Sequence, residues 1–277
     1  MTEAIQALPF HFQSETVIEG VEALDLFSLN SVLGGTIEIQ TVETLNRLRS
    51  VWDPDGEWAD YGFRRFAQAF PDVRLVHHRN VEDPAMGIEL KGWYLLAKEA
   101  QPSFRYTATK SACSPFDLLV VVPWHLNNVL SGKPIVRAPF IEQAGYAAEL
   151  RNYYWRYLRG EGRDVRIEIP EDVHPYPPPK TPSSDKAASD KGANFGRVAR
   201  VQGLMTEFMS ESLQAAISGI EARYWIEFFT VFSEDSNISE IEEKMRKLLD
   251  RRRSSEAGRS DAIVDHLMEV VRLLASN

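Results

Sequence analysis

The chain has 277 residues, 44% of them hydrophobic and 26% charged, with a formal net charge of −9. That is enough to bury a sizeable core as one large domain or one and a half, and the acidic balance argues against a protein that is basic all over and coats nucleic acid. One cysteine, Cys113, excludes an intrachain disulfide and a Cys-rich zinc site, and it reads as a core thiol.

The start, MTEAIQALPFHF, lacks the basic residues and apolar run of a secretory signal. No stretch reaches the ~18 uninterrupted apolar residues of a membrane span. A cytoplasmic, prokaryotic protein with no membrane partner is expected. "EGVEALDLFSLNSVLGG" has helical apolar spacing and ends in Gly34-Gly35, which predicts a helix stop there. "TIEIQTVETLNRLRSVW" follows as a helix with Ile37, Val42, Leu45 and Leu48 on one face, broken by Asp53-Pro54-Asp55-Gly56. "EWADYGFRRFAQAF" is a further amphipathic stretch. After Pro71, "DVRLVHHR" reads as a strand, "NVEDPAMG" supplies turn chemistry, and "GIELKGWYLLAK" returns as a second strand. "DLLVVVPW" is almost wholly apolar, so it predicts a central strand covered on both faces.

"PFIEQAGYAAELRNYYWRYLR" predicts a helix opened by Pro139, its Tyr153, Tyr154, Trp155 and Tyr157 forming a packing or dimer surface. "DVRIEI" is a short strand. The stretch from Pro170 to Gly203 is too rich in Pro, Ser, Asp and Gly for regular structure and reads as a long loop. From Leu204 the chain reads helical to its end. This order predicts an α/β fold with a mainly helical C-terminal portion, divided as 1–170, a loop 171–202 and 203–277.

The chemistry begins at Glu89. In a strand Glu89 and Lys91 project to one side and Ile88 and Leu90 to the other. A buried carboxylate and ammonium need partners, and Asp72, at the start of the preceding strand, offers a second carboxylate. Two carboxylates give Mg²⁺ the hard oxygen ligands it takes alongside water and phosphate oxygens. Lys91 would orient or deprotonate a water and stabilise charge developing on a phosphate. A tight hairpin centred on Asp83-Pro84 sets Glu89 opposite about Val76, so an approach by Asp72 demands a wider or twisted connection. Asp83 is the rival carboxylate, and its turn position reads as solvated.

Pro71-Asp72, sixteen residues, then Glu89-Leu90-Lys91 resembles the PD-(D/E)xK nuclease pattern, in a type II restriction endonuclease-like setting. The local resemblance covers about residues 65–124 and extends more diffusely to "SLNSVLGGTIEIQTVETLNRLR" and "SDKAASDKGANFGRVAR". It implies Asp72 and Glu89 as metal ligands, Lys91 as the catalytic lysine, and a restriction endonuclease-like mixed central sheet flanked by helices. It also implies Mg²⁺ dependence, a homodimer, double-stranded DNA as substrate, and a companion DNA methyltransferase acting on the same site. An acid from the preceding helix often joins the metal in such proteins; Glu38 is favoured here over Glu43.

For DNA contacts the charge distribution matters more than its sum. Lys plus Arg stand against Asp plus Glu as 8 to 16 over residues 1–100, 14 to 10 over 101–200 and 9 to 14 over 201–277. The basic middle holds "PSFRYTATK", with Arg105, Thr107, Thr109 and Lys110 suited to phosphates or bases. It also holds "SSDKAASDKGANFGR", whose Lys186, Lys191, Asn194 and Arg197, with Arg200 beyond, would meet phosphates if the loop orders on DNA. "LDRRR" at 249–253 reads as a helix C-terminal cap. His77 and His78 face opposite ways in a strand and do not chelate one metal together. The signatures G-x-x-x-x-G-K-[ST], G-x-G-x-x-G and G-x-S-x-G are absent from the sequence. Two functions follow from these residues: a Mg²⁺-dependent, sequence-specific endonuclease, or a catalytically silent DNA-binding or scaffold protein in which Glu89 and Lys91 form only an ion pair.

Overall fold

The computed structural model describes residues 1–19, 29–159, 164–190, 192 and 194–231, together with residues 239, 240, 243, 244, 247, 266 and 269. The C-terminal helical readings beyond residue 238, including "LDRRR", the first turns of the "EGVEALDLF" helix and Lys191 lie almost wholly outside these residues. Short helices α1 (Thr2–Gln6) and α2 (Leu8–His11) precede α3 (Leu29–Arg47) and α4 (Arg49–Trp52). Strands β1 (Tyr61–Arg65), β2 (Val73–His77), β3 (Asn80–Tyr94), β4 (Leu118–Leu126), β5 (Pro134–Val136) and β6 (Phe140–Gln143) form one six-stranded mixed sheet. β1, β2 and β3 make an antiparallel meander, β4 runs parallel to β3, and β5 and β6 pair antiparallel along opposite ends of β4.

Helices cover both faces of this sheet. On one face Ile88, Leu90, Val120, Val122 and Trp124 share a core with Leu33, Ile37 and Leu45 of α3. On the other, Trp93, Leu95, Leu119 and Val121 pack with Ala144, Ala147 and Ala148 of α5 (Ala144–Tyr153) and with Val198 and Met205. The alternation along β3 and β4 is the period of two that a strand buried on both faces requires. β4 is buried from Leu119 to Leu126, as its apolar run predicts. The molecule is therefore a mixed α/β protein with a central sheet flanked by helices. Among the described residues, no helix is long and apolar enough to cross a membrane.

Several local expectations are corrected. Gly34 and Gly35 do not stop a helix; α3 runs through both, because burial of Leu33, Ile37 and Leu45 outweighs a glycine cost of about 1 kcal/mol each. "YGFRR" is strand β1, its Phe63 buried against Trp52 with ring centroids 5.3 Å apart. "FIEQ" is strand β6 and α5 begins only at Ala144: Phe140 and Ile141 pack into the two opposite cores, which a strand allows and a helix turn does not. The all-helical reading after Leu204 is interrupted between α6 (Thr206–Leu213) and α7 (Ala222–Val231) by a hairpin of β9 (Ala216–Ile217) and β10 (Ile220–Glu221). Its two turn residues, Ser218 and Gly219, both have positive φ, 50° and 85°, as a two-residue hairpin with the sheet's own twist needs.

The long loop is mostly irregular, as expected, yet its described part is packed. Between β7 (Ile167–Glu168) and its partner β8 (Lys186–Ala187) the chain returns to the connection from β3 to β4. There Thr109 donates its amide to Ser183 O (2.8 Å), Asp185 to Thr107 O (2.9 Å) and Tyr106 to Gly196 O (2.7 Å). Phe195, Val198 and Ala199 are buried. This segment is ordered by the protein's own core rather than waiting for a ligand to order it.

Candidate active site

The turn after β2 falls at His78-Arg79, not at Asp83-Pro84, and β3 already begins at Asn80. Irregularities after Leu75 and after Val76 then shift the register, so that Val73 stands opposite Ile88. That shift removes the obstacle a tight hairpin posed: one residue further along each strand, Asp72 meets Glu89. The contact is direct. Leu90 donates its amide to Asp72 Oδ2 at 3.1 Å, and Lys91 Nζ lies 3.5 Å from the same oxygen and 2.6 Å from Glu89 Oε1.

Glu89 and Lys91 pair across to Leu119 and Val121, so they occupy the sheet face covered by α5. The site lies at the end of that apolar layer, with side-chain exposures of 16% for Asp72, 11% for Glu89 and 22% for Lys91. Burial pushes the Glu89 carboxyl up to about 7; the Lys91 ammonium pulls it down and Asp72 pushes it further up. Burial alone would lower Lys91, but the two carboxylates outweigh it and its pKa is raised. Lys91 is thus a firm cation held between two acids. Glu89 Oε2 is buried with no hydrogen-bond partner among the described residues. That unpartnered oxygen and the adjacent Asp72 carboxylate form a hard, anionic donor set suited to Mg²⁺, which needs only one or two protein carboxylates. Among the described residues no group of three or more His, Cys, Asp or Glu is placed to hold a metal.

A third carboxylate builds this corner. Asp117, fully buried just before β4, accepts the amides of Gly87 (2.6 Å) and Ser114 (2.7 Å) and the Tyr176 hydroxyl (2.7 Å). Burial raises its pKa and these donors oppose the rise. Arg74 donates to Phe70 O at 2.9 Å and stacks on Phe66 and Tyr176, at 4.5 and 5.2 Å from the ring centroids. The turn carrying Pro71 and Asp72 is therefore clamped from two sides.

Other expected site residues are elsewhere. Glu38 is bound to Arg65 Nε at 2.6 Å, on the helix that shares its core with Ile88 and Leu90, and does not join the Asp72 and Glu89 pair. The correction has a physical cause: an arginine on β1 gives that carboxylate a partner of its own. Glu43 accepts from Gln40 Nε2 at 3.1 Å. Asp83 is exposed on β3, well along the strand from Glu89. Lys110 pairs with Glu149 at 2.6 Å on the surface, and Lys186 is exposed on β8. Arg105 lies 3.8 Å from Asp190, Thr107 Oγ1 donates to Ser184 Oγ at 3.2 Å, and Arg197 pairs with Glu99 at 2.7 Å. Asn194 accepts from Arg200. Gly196 O accepts the Tyr106 amide at 2.7 Å and a Cβ on Gly196 would meet Thr107 Cγ2 and Arg105 Cβ, so the chain at Gly196 lies against residues 105–107, while the four side chains keep separate partners. Cys113 is half-buried 3.4 Å from the Tyr106 hydroxyl, and burial pushes its thiol up to about 11, so it stays protonated and inert near neutrality.

One network went unforeseen. Arg151 is buried on α5 and donates to Tyr106 O (2.8 Å), Ala108 O (3.1 Å) and the buried Asp185, which also accepts from Asn152 at 2.8 Å. The signal lay in the spacing: Ala144, Ala147, Ala148 and Arg151 fall on one helical face, so the arginine had to enter the core with a partner. Compared with known proteins, the chain matches no family model, no curated protein and no solved structure.

Proposed function

We propose that this protein is a Mg²⁺-dependent endonuclease with a restriction endonuclease-like core, hydrolysing phosphodiester bonds of double-stranded DNA at a short specific sequence. One observation carries the reading: Asp72, Glu89 and Lys91 converge where the start of β2 lies beside the second half of β3, with Lys91 Nζ 3.5 Å from one carboxylate and 2.6 Å from the other. Asp72 and Glu89 would hold the ion, and Glu89 Oε2 is the buried oxygen that such a bond would satisfy. Mg²⁺ bound there supplies Lewis-acid polarisation of a phosphate oxygen and lowers the pKa of a bound water.

The water oxygen would bond to phosphorus as the bond from phosphorus to the leaving sugar oxygen breaks, the attacking water's proton passing to solvent and the leaving oxygen taking a proton from a solvent water. Lys91, held as an ammonium by its two acids, stabilises the charge that builds on the phosphate and orients the water; it is not the group that takes the water's proton in this protonation state. The Leu90 amide fixes the Asp72 carboxylate, so the charged groups are preorganised. A palindromic site would call for a two-fold dimer, and a restriction role would pair the enzyme with a DNA methyltransferase acting on the same site.

The test is to incubate unmethylated double-stranded DNA of phage length, single-stranded DNA and RNA with the protein, in Mg²⁺ or in EDTA. Discrete fragments from the duplex alone, in Mg²⁺ alone, are expected. Intact nucleic acid under every condition, with methylated duplex also uncut, would favour the silent DNA-binding protein and make the Lys91 contacts a structural ion pair.

A further inference from the structure

The sheet face that carries the carboxylate pair continues onto β1. Phe63, Val73, Leu75 and Ile88 point into the core shared with α3, so their strand neighbours Arg64, Asp72, Arg74 and Glu89 project from the opposite face, the one that carries Lys91. β1 is the edge strand of the sheet. In its register with β2, Arg64 stands directly opposite Arg74, which follows Asp72 by two residues. That step is roughly 7 Å along the strand.

The arginines of this corner differ in what answers them. Arg74 donates to Phe70 O, stacks on Phe66 and Tyr176, and faces the buried Asp117. Arg65 points to the α3 side and is held by Glu38 at 2.6 Å. Arg64 is exposed, and its guanidinium has no hydrogen bond, ion pair or ring contact among the described residues. Like charges directly opposite on paired strands repel, and an anion between them and the solvent removes that cost. His78 extends the same face: a Cβ on Gly62 would meet His78 Cε1 at 3.0 Å, so the exposed imidazole lies over Gly62, two residues from Arg64. An unengaged guanidinium offers a planar fork of donors that matches phosphate oxygens.

We infer that Arg64 grips a DNA backbone phosphate beside the scissile one, with His78 as a second donor, so that β1 is the track along which the strand reaches Asp72, Glu89 and Lys91. The position of the scissile phosphate rests on the nuclease reading. The grip itself needs no metal and no cleavage. Arg74 serves as the wall behind it, its own donors turned to Phe70 and the aromatic rings.

The experiment is fluorescence anisotropy of a labelled 16-base-pair duplex in EDTA, read against salt concentration, with melting temperatures recorded for each variant. Arg64→Ala should weaken binding by about tenfold and lower the slope of log affinity against log salt by about 1, at an unchanged melting temperature because the side chain is exposed. Arg64→Lys should keep most of the slope. Arg65→Ala, one residue along but on the other face, should bind as the parent does; this control separates a grip at Arg64 from a general loss of charge. No binding of the duplex, an Arg64→Ala variant with the parent's affinity and slope, or an equal loss in Arg65→Ala overturns the inference. Binding that needs Arg64 in a protein that never cuts in Mg²⁺ would sink the nuclease reading and leave the grip standing. Cleavage in Mg²⁺ that is indifferent to Arg64, with binding also indifferent, would sink the grip and leave the nuclease reading.

Discussion

Gly87 lies so close to Pro71 that a Cβ there would sit 2.4 Å from Pro71 Cγ and 3.1 Å from Asp117 Oδ1. The missing side chain lets the turn that carries Asp72 rest directly on β3, two residues before Glu89. Gly87→Ala should therefore push Pro71 away and cost about 1–3 kcal/mol of stability, measured by urea unfolding. A variant as stable as the parent, with Asp72 still bonded to the Leu90 amide in its structure, would contradict this account of the corner.

The Glu89 carboxyl, raised to about 7 from an ordinary 4.5, keeps its proton in the folded protein over a range where the unfolded chain has lost it. Stability without metal should fall as pH rises from about 4.5 to 7, by at most about 3 kcal/mol. Glu89→Gln removes the titrating group, so denaturation across that range should lose this slope. An unchanged slope would place the pH dependence in another group.

Metal binding should show the opposite trend. A divalent ion takes the ionised form of Glu89, so Mg²⁺ competes with the proton and binds more weakly below pH 7. Thermal melting should show a larger Mg²⁺-induced rise at pH 8 than at pH 6, and Asp72→Asn should remove most of the rise. Equal shifts at both pH values, or in the variant, would put the ion elsewhere.

The Arg151 and Asp185 pair ties α5 to the segment around residue 185, with both side chains almost fully buried. Asp185→Asn leaves the guanidinium buried opposite a neutral amide and should destabilise by about 3 kcal/mol. Limited proteolysis within residues 171–190 should accelerate with it. A double variant, Arg151→Met with Asp185→Leu, should recover part of the loss, since it removes both charges together.

Long periodic or apolar runs were the legible part of the fold. β4 and the part of α3 from Ile37 onward follow from spacing and composition, whereas the stop expected at Gly34-Gly35 did not occur, because a glycine pair weighs less than the burial of Leu33, Ile37 and Leu45. Boundaries failed where two propensities compete locally: Phe140 and Ile141 suit a strand as well as the helix after them, and Ser218-Gly219 is a turn signal inside a helical pattern. That Glu89 and Lys91 share a face was legible, because it rests on alternation along one strand. Its register was not, since Asp83-Pro84 looks like a turn and only the observed shifts after Leu75 and Val76 bring Asp72 to Glu89. Glu38 misled for a related reason. A helix carboxylate carries no record of its partner in the sequence, and Arg65, 27 residues away, claims it.

The most direct test of the triad is single-turnover cleavage of a mapped duplex substrate in Mg²⁺ by the parent protein and by Lys91→Ala, with melting temperatures recorded for both. Removing the ammonium between the carboxylates should slow cleavage by about 100-fold or more while the folded protein still binds the duplex in EDTA. A Lys91→Ala variant that folds and cuts at the parent rate would contradict the assignment of Asp72, Glu89 and Lys91 as the site of chemistry.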